Sequence, residues 1–214
     1  MNESIARYSN QRLKLYFVRH GETMANYTNN YCPEYVNTFS PNGIRQVDSL
    51  TQRLLKYQFN NILVSPVIRA QNTILPYLKL TNQTAEIWPE LMECCWQKED
   101  DVLPTPNLPR GIKIQMVDAT KFRFRDKQSV YCYHDSSNYA DGLIQAHKAV
   151  QWIKLLISNT QKSILVVGHY WCNGKIMLML QGKDTNLELN LENGKISLLQ
   201  QNHNRKLVLE KMNF

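Results

Sequence analysis

The sequence predicts an α/β fold, a three-layer α/β/α sandwich with a mostly parallel central sheet. Short apolar runs rich in β-branched residues alternate with longer segments in which apolar residues recur at helical spacing. Polar residues follow directly after two of these runs, which is where ligands bind in open α/β sheets. With 214 residues, 43% of them hydrophobic and 20% charged, the chain is predicted to form one domain over residues 1–214.

Strands and helices alternate twice in the first half of the chain. Ser40 is a predicted N-cap, because Pro41 follows it at the first helical position. The elements expected here are a strand over 13–18, a helix over 41–57, a strand over 62–64, a helix over 67–80 that contains Pro76, and a strand over 84–88. This repeated order of strand, loop and helix favours parallel pairing of the strands.

The second half begins with a long segment that has no strong period. Residues 94–137 include three prolines and a basic patch, and such a stretch inside a compact domain is typical of a functional lid or insertion. We therefore expect an irregular insertion there. Regular structure is predicted to return as a helix over 138–157, a strand over 163–167, a helix over 173–180 and two closing strands over 195–201 and 206–210.

Charge and composition narrow the classes of partner. The net charge of +7 favours anionic partners, such as phosphorylated metabolites, nucleic acid or anionic lipid. The basic residues lack the RNP and interleaved aromatic signatures of nucleic-acid-binding modules, so we expect no nucleic acid partner. No run approaches the roughly 20 apolar residues of a membrane-spanning helix, so we expect no membrane partner. A homodimer is left open.

The five cysteines indicate a reducing compartment. Their number is odd and they lack paired C-x-x-C spacing, which favours free thiols over disulfides or a zinc site. The adjacent Cys94 and Cys95 could bind a soft metal, but unliganded thiols are the commoner case. The first residues show no secretory leader, so we expect a cytoplasmic protein.

Two histidines stand where a ligand would bind. His20 follows the first predicted strand and His169 follows the strand over 163–167, so both can face one pocket. Arg19 precedes the first histidine, and Arg69 lies shortly after the second strand. Guanidinium groups match phosphoryl oxygens, and an imidazole can attack phosphorus. Each residue taken singly is more often structural, but together they predict a phosphoryl-transfer site.

Five motifs occur in a fixed order along the chain. They are R-H-G-E-T-x-x-N at residues 19–26, F-S-P-N-G-I-R-Q at 39–46, S-P-x-x-R-A-x-x-T at 65–73, L-M-E at 91–93 and an apolar strand that ends in Gly168-His169. The set resembles the histidine phosphatase superfamily, also called the phosphoglycerate mutase-like family, in its larger branch. The resemblance covers about residues 13–93 and 138–200, and it implies a phosphoglycerate mutase-like fold.

The resemblance also implies a mechanism through a phosphohistidine. His20 is the implied nucleophile, and Glu93 protonates the leaving oxygen and then takes a proton from water. The implied catalytic residues are His20, Arg19, Arg69, Glu93 and His169. The implied phosphate-binding residues are Arg19, Thr23, Asn26, Arg69 and His169. No metal or other cofactor is required, because the cationic side chains stabilise the transferring group. The expected partner is a small phosphorylated substrate.

Three functions stay open at this point. The leading one is a metal-independent phosphomonoesterase, and the others are a phosphoglycerate mutase and a protein that binds a phosphorylated ligand or a partner without catalysis. The family's mutases carry basic residues shortly after the acid, whereas the next ones singled out here are Arg123 and Arg125. This favours a phosphatase. If Glu93 is not the proton donor, the candidates are Glu22, Glu99, Asp100 and Asp101. The bulky Tyr170 and Trp171 replace small residues of the family and predict an unusual substrate shape.

Overall fold

A computed structural model describes residues 12–97, 110–133, 138–158 and 163–214. The strands in this part of the chain are β1 (Lys14–Arg19), β2 (Asn61–Val64), β3 (Ala85–Ile87), β4 (Arg110–Lys113), β5 (Phe122–Phe124), β6 (Tyr131–Tyr133), β7 (Ser163–Gly168), β8 (Ile196–Gln201) and β9 (Leu207–Lys211). The helices are α1 (Met24–Thr28), α2 (Pro41–Leu54), α3 (Ile68–Thr81), α4 (Tyr139–Ser158) and α5 (Tyr170–Leu180).

A seven-stranded sheet in the order β5-β3-β2-β7-β1-β8-β9 forms the centre of the fold. The first five strands in that order are parallel, and β8 and β9 are antiparallel to their neighbours. The predicted α/β fold with a mostly parallel sheet is therefore confirmed. In the parallel register, Arg19 of β1 lies opposite Gly168 of β7, so the two strands end at the same level.

Helices cover both faces of the sheet, which is why the central strands are apolar without alternation. On one face, Phe17 and Val166 pack in a core that includes α4 and α5 residues. On the other face, Val18 and Val167 pack in a core that includes α2 and α3 residues. Among the helices of the described residues, none is long and apolar enough to cross a membrane.

Two helices differ from their predicted bounds. Helix α2 begins as expected, with the Ser40 hydroxyl accepting from the Gly43 N–H at 2.9 Å. It ends at Leu54 rather than near 57, because the next N–H groups, of Lys56 and Tyr57, donate to carbonyls only three residues back and form a tighter turn. Helix α5 begins at Tyr170 rather than 173, since His169 is already the extended N-cap that joins it to β7.

The prediction of an irregular insertion over 94–137 is wrong for the described part of that segment. It contains three strands: β4 and β6 pair with each other, and β5 adds to the main sheet beside β3. The strands were missed because they have three or four residues each, too few to establish a period. Residues 98–109 and 134–137 lie outside the described residues.

Candidate active site

The two strand-end histidines are in ring contact with each other, and His20 lines a pocket. The rings of His20 and His169 are 5.2 Å apart between centroids, and the His20 backbone N–H donates to the Gly168 carbonyl at 3.0 Å. A cavity of about 650 Å³ opens in front of His20. Its lining comprises Arg19, His20, Thr23, Ala25, Asn26, Tyr31, Val36, Arg69, Glu93, Trp96, Tyr170 and Trp171. The structure thus brings the predicted site residues together, with His169 buried behind His20.

The imidazole of His20 is held in one tautomer. Its Nδ1 lies 2.8 Å from the Gly21 carbonyl, which can only accept, so Nδ1 carries the proton. Arg69 Nε donates to His20 Nε2 at 3.1 Å, so Nε2 is the ring nitrogen with a lone pair. Burial first, and then the charge of Arg69, lower the pKa of His20 well below its usual value. His20 is therefore neutral near pH 7, with Nε2 able to act as a nucleophile.

The backbone around His20 is fixed by residues from distant elements. Thr73 accepts from the Gly21 N–H at 3.0 Å and donates to the Arg69 carbonyl at 2.7 Å, which ties the two motifs together. Asn193 donates through Nδ2 to the His20 carbonyl at 2.9 Å. The role of Thr73 could have been inferred from its place in the 65–73 motif. No sequence signal points to Asn193, which lies far away along the chain.

His169 has one engaged and one free ring nitrogen. Its Nε2 lies 2.7 Å from Ser65 Oγ, and that oxygen also accepts from the Val67 N–H at 3.3 Å. Among the described residues, His169 Nε2 is the one partner of Ser65 Oγ that can accept its proton, so we assign the hydroxyl proton to this bond, which leaves the ring proton on Nδ1. Nδ1 is buried and has no hydrogen-bond partner among the described residues. Burial and then the charge of Arg69 lower the pKa of His169 well below its usual value.

Arg19 is oriented from two sides and keeps one donor free. Its Nη1 donates to the Leu191 carbonyl at 2.8 Å, and its guanidinium lies 5.0 Å from the centre of the Tyr170 ring. Its Nε is buried without a partner in the described part of the chain. A buried N–H without a partner costs about 1–3 kcal/mol. The free N–H groups of Arg19 and His169 would both be satisfied by the oxygens of a phosphoryl group.

Thr23 and Asn26 form the N-terminal cap of α1. The Asn26 N–H donates to Thr23 Oγ1 at 3.2 Å, and the Thr23 hydroxyl donates to Asn26 Oδ1 at 3.1 Å. Asn26 Oδ1 also accepts from the Thr23 N–H. These bonds direct the amide oxygen of Asn26 toward the cap and leave its NH₂ group for a ligand. Thr23 lies on the pocket wall, but its hydroxyl proton is already used to orient Asn26.

Glu93 lies on the pocket wall opposite this cap, at the N-terminus of α5. Its Oε1 accepts from the N–H groups of Cys172 at 3.1 Å and Cys94 at 3.3 Å. Burial raises the pKa of Glu93, while these bonds and the charge of Arg69 oppose the shift. No described residue bonds to its other oxygen, Oε2. A carboxyl group with a raised pKa and one free oxygen can carry a proton to a leaving group.

Of the four alternative acids, Glu22 does not line this pocket and the other three lie outside the described residues. The carboxylate of Glu22 accepts from Ser40 Oγ at 2.5 Å and from Asn42 Nδ2 at 3.3 Å. It lines a separate polar cleft rather than the cavity in front of His20. Glu99, Asp100 and Asp101 lie outside the described residues.

The basic residues Arg123 and Arg125 contact carboxylates outside the cavity. Arg125 forms two hydrogen bonds of 3.1 Å with the buried carboxylate of Glu90 and lies over the Trp88 and Trp152 rings. Arg123 is 3.6 Å from Glu86 on the surface. Neither lines the cavity. Within the described ranges no cluster of three or more histidine, cysteine or acidic residues could hold a metal ion.

Comparison with known proteins agrees with this geometry. The family model of the histidine phosphatase superfamily (branch 1) matches residues 15–214. A sequence comparison with curated proteins found no significant match.

Solved structures share the fold at low sequence identity. The alpha-ribazole phosphatase from Shigella flexneri has a TM-score of 0.64 at 20% identity, covering 94% of this chain and 96% of that one. Phosphoserine phosphatase from Entamoeba histolytica, in complex with phosphoserine, has a TM-score of 0.63 at 19% identity, with coverage of 94% and 96%. A mycobacterial glucosyl-3-phosphoglycerate phosphatase has a TM-score of 0.64 at 16% identity, with coverage of 94% and 98%.

Proposed function

The chain belongs to the histidine phosphatase superfamily, and we propose that it is a metal-independent phosphomonoesterase that works through a phosphohistidine. The observation that carries the proposal is the state of His20. Its Nδ1–H is bound to the Gly21 carbonyl, and its Nε2 presents a lone pair beside Arg69. A neutral imidazole beside cationic side chains is the group that phosphoryl transfer to nitrogen requires.

In the first half-reaction, Nε2 of His20 attacks phosphorus. A nitrogen–phosphorus bond forms, the phosphorus–oxygen bond to the alcohol breaks, and Glu93 gives its proton to the departing oxygen. Arg69 Nε must leave Nε2 for this attack, and a phosphoryl oxygen is the acceptor that takes its place. The same guanidinium thus orients the free nucleophile and then stabilises the transferring group.

In the second half-reaction, water displaces His20. The carboxylate of Glu93, now ionised, takes a proton from the attacking water, and the nitrogen–phosphorus bond breaks. Inorganic phosphate leaves, and His20 and Glu93 return to their starting protonation states. Glu93 suits both steps because its raised pKa lies closer to the working pH than that of an exposed carboxyl.

Four groups would hold the phosphoryl oxygens. They are the free donors of Arg19, Asn26, Arg69 and His169. Burial lowers the pKa of His169 in the free protein, whereas a bound phosphate dianion raises it. Substrate binding therefore favours the protonated ring. His169 would then add positive charge where negative charge develops, as the motif predicts.

A phosphatase fits the pocket better than a phosphoglycerate mutase. Arg19 and Arg69 are the cations that line the described cavity with His20, and both face the phosphate position. In the described part of the chain, the lining of this cavity includes no further cation to bind a second acidic group of a substrate. Within the described residues, Cys32, Cys94, Cys95 and Cys172 form no disulfide, which fits action in the reducing cytoplasm.

Hydrolysis of p-nitrophenyl phosphate in EDTA tests the proposal. We expect turnover by the parent protein and none by His20→Ala, because no other group of the site can form the phosphoramidate. After quenching at a pH that preserves phosphohistidine, labelled substrate should leave phosphate on the parent and none on His20→Ala. His203→Ala is the matched control, since His203 is exposed in the β8–β9 turn, and it should behave as the parent. Label retained by His20→Ala would contradict the proposal.

A further inference from the structure

The part of the cavity beyond the phosphate position is walled by aromatic side chains. Tyr31, Trp96, Tyr170 and Trp171 line it, together with Val36. Trp96 and Tyr31 are 44% and 64% exposed. These two side chains present aromatic surface at the mouth of the pocket that holds the reacting groups, where an apolar part of a ligand can bind.

Tyr170 and Trp171 are held in place before any substrate binds. Their rings meet edge to face at 5.1 Å between centroids. The guanidinium of Arg19 supports Tyr170 at 5.0 Å, and the buried ammonium of Lys175 lies 5.6 Å from the centre of the Trp171 ring. Cation–π contacts of this kind orient a ring. A wall that is already ordered loses little entropy when a ligand stacks on it.

The ionisable groups that line the described cavity other than tyrosine all lie at its reacting end. Arg19, His20, Arg69 and Glu93 surround the phosphate position, and the aromatic wall carries no charged side chain among the described residues. Lys175 does not reach the cavity, because its ammonium donates to the carbonyls of Thr185 at 2.7 Å and Leu187 at 3.1 Å. Among the described residues, a second carboxylate or phosphate on a substrate would therefore meet aromatic rings and no cation beyond Arg19 and Arg69.

We propose that the preferred substrate is a phosphate monoester whose alcohol carries an uncharged aromatic ring, which stacks between Tyr31, Trp96, Tyr170 and Trp171. The inference rests on the proposed phosphatase function and specifies its substrate class. Aromatic rings pack against each other with favourable offset or edge-to-face geometry, and burial of the ring removes apolar surface from water. Tyr170 and Trp171 are then specificity residues, and their bulk replaces open space in the pocket.

Three probes that all release a primary alkoxide of similar basicity test the proposal: ethyl phosphate, benzyl phosphate and para-carboxybenzyl phosphate. We expect kcat/KM for benzyl phosphate to exceed that for ethyl phosphate by about 10-fold or more, the effect of burying one ring. Adding the para-carboxylate should remove most of this gain. In Trp96→Ser and Trp171→Leu, the ratio of kcat/KM for benzyl phosphate to kcat/KM for ethyl phosphate should fall toward one. Tyr27→Ser is the matched control, because Tyr27 is 69% exposed on α1 and does not line the cavity.

The outcomes separate the two proposals. Hydrolysis of all three probes at similar kcat/KM, or a preference for the carboxylated probe, would overturn the aromatic substrate class and leave the phosphatase proposal standing. Hydrolysis of none of them, nor of p-nitrophenyl phosphate, would overturn the phosphatase proposal itself. An equal loss of the benzyl preference in Tyr27→Ser would show that the wall is not the cause.

Discussion

Arg69 Nε donates to His20 Nε2 at 3.1 Å, so a cation lies directly against the atom that would attack phosphorus. The contact keeps the imidazole unprotonated, because a proton on Nε2 would face the guanidinium at hydrogen-bond distance. The two residues lie 49 positions apart, and Thr73 links their backbones by bonding to Gly21 and to the Arg69 carbonyl. The nucleophile and its cation are thus positioned as one unit.

The first prediction concerns this cation. Replacing Arg69 with methionine removes a positive charge that lowers the pKa of His20, so the pKa should rise, although burial, the larger cause, remains. Activity requires neutral His20, so kcat/KM increases as pH rises through this pKa. In a plot of kcat/KM against pH, the acid limb should move to higher pH in Arg69→Met. At the pH optimum, kcat/KM should fall by about 100-fold, because a hydrogen-bond donor to the phosphate is lost.

Arg69→Lys is the control for charge. It keeps the cation and loses the guanidinium geometry, so its rate should fall while its acid limb stays close to that of the parent. The second ionisation of the substrate is the same for all three proteins and cancels in the comparison. An acid limb at the same pH in Arg69→Met and in the parent would show that Arg69 does not set the protonation of His20.

The second prediction concerns Ser65, whose hydroxyl we assign as the donor to His169 Nε2. Ser65→Ala removes the bond that fixes the proton on Nδ1, so the ring should become a mixture of tautomers. The loss of one buried hydrogen bond, about 1 kcal/mol, should lower kcat/KM by roughly 5- to 10-fold. Nitrogen chemical shifts of His169 report the tautomer directly. Ser49→Ala is the control, because Ser49 lies on the exposed side of α2, and it should change neither kcat/KM nor the His169 shifts. Unchanged His169 shifts in Ser65→Ala would refute the assignment.

The sequence predicts the site better than the elements around it. His20, Arg69 and His169 were identified because strand ends and phosphate chemistry constrain both the place and the type of residue. Strand β5 was not predicted, because it is only three residues long, Phe122–Phe124, and its pairing with β3 depends on contacts between residues far apart in the chain. Asn193 was missed for the same reason, since its bond to the His20 carbonyl depends on a bridge between Asn193 and Arg19 that forms only in the folded chain.

The third prediction uses two helical glycines as a matched pair. A Cβ at Gly142 of α4 would lie 2.5 Å from the backbone nitrogen of Cys95, whereas a Cβ at Gly174 of α5 would have its nearest neighbour at 4.0 Å. Gly142→Ala should therefore lower the free energy of unfolding by about 1–3 kcal/mol. It should also reduce activity, because the displaced segment follows Glu93. Gly174→Ala should be neutral or stabilising by up to about 1 kcal/mol through helix propensity.

Urea unfolding of both variants checks this prediction. The result that counts against it is equal stability of the two alanine variants, which would mean that the close approach of α4 to Cys95 can relax without cost. If Gly142→Ala loses activity but keeps its free energy of unfolding, the added methyl group displaces the segment around Cys95, which follows Glu93, without destabilising the fold.

The fourth prediction concerns Glu93 as proton donor. Burial raises its pKa, so it holds a proton at a higher pH than an exposed carboxyl and loses it as pH rises further. Glu93→Gln should therefore harm substrates with poor leaving groups far more than good ones, because p-nitrophenolate departs without protonation whereas an alkoxide does not. We expect the loss of kcat/KM on ethyl phosphate to exceed that on p-nitrophenyl phosphate by about 10-fold or more, within the usual 10²–10⁴ contribution of a general acid.

Glu22→Gln is the matched control for this test. Its carboxylate is bound by Ser40 and Asn42 and does not line the cavity, so its substitution should not depend on the leaving group. The ratio of the two losses measures transition-state stabilisation specific to the departing oxygen, and any general effect on folding or phosphate binding cancels in it. An equal loss on both substrates in Glu93→Gln would make Glu93 a binding residue. The acid would then be sought among Glu99, Asp100 and Asp101, which lie outside the described residues.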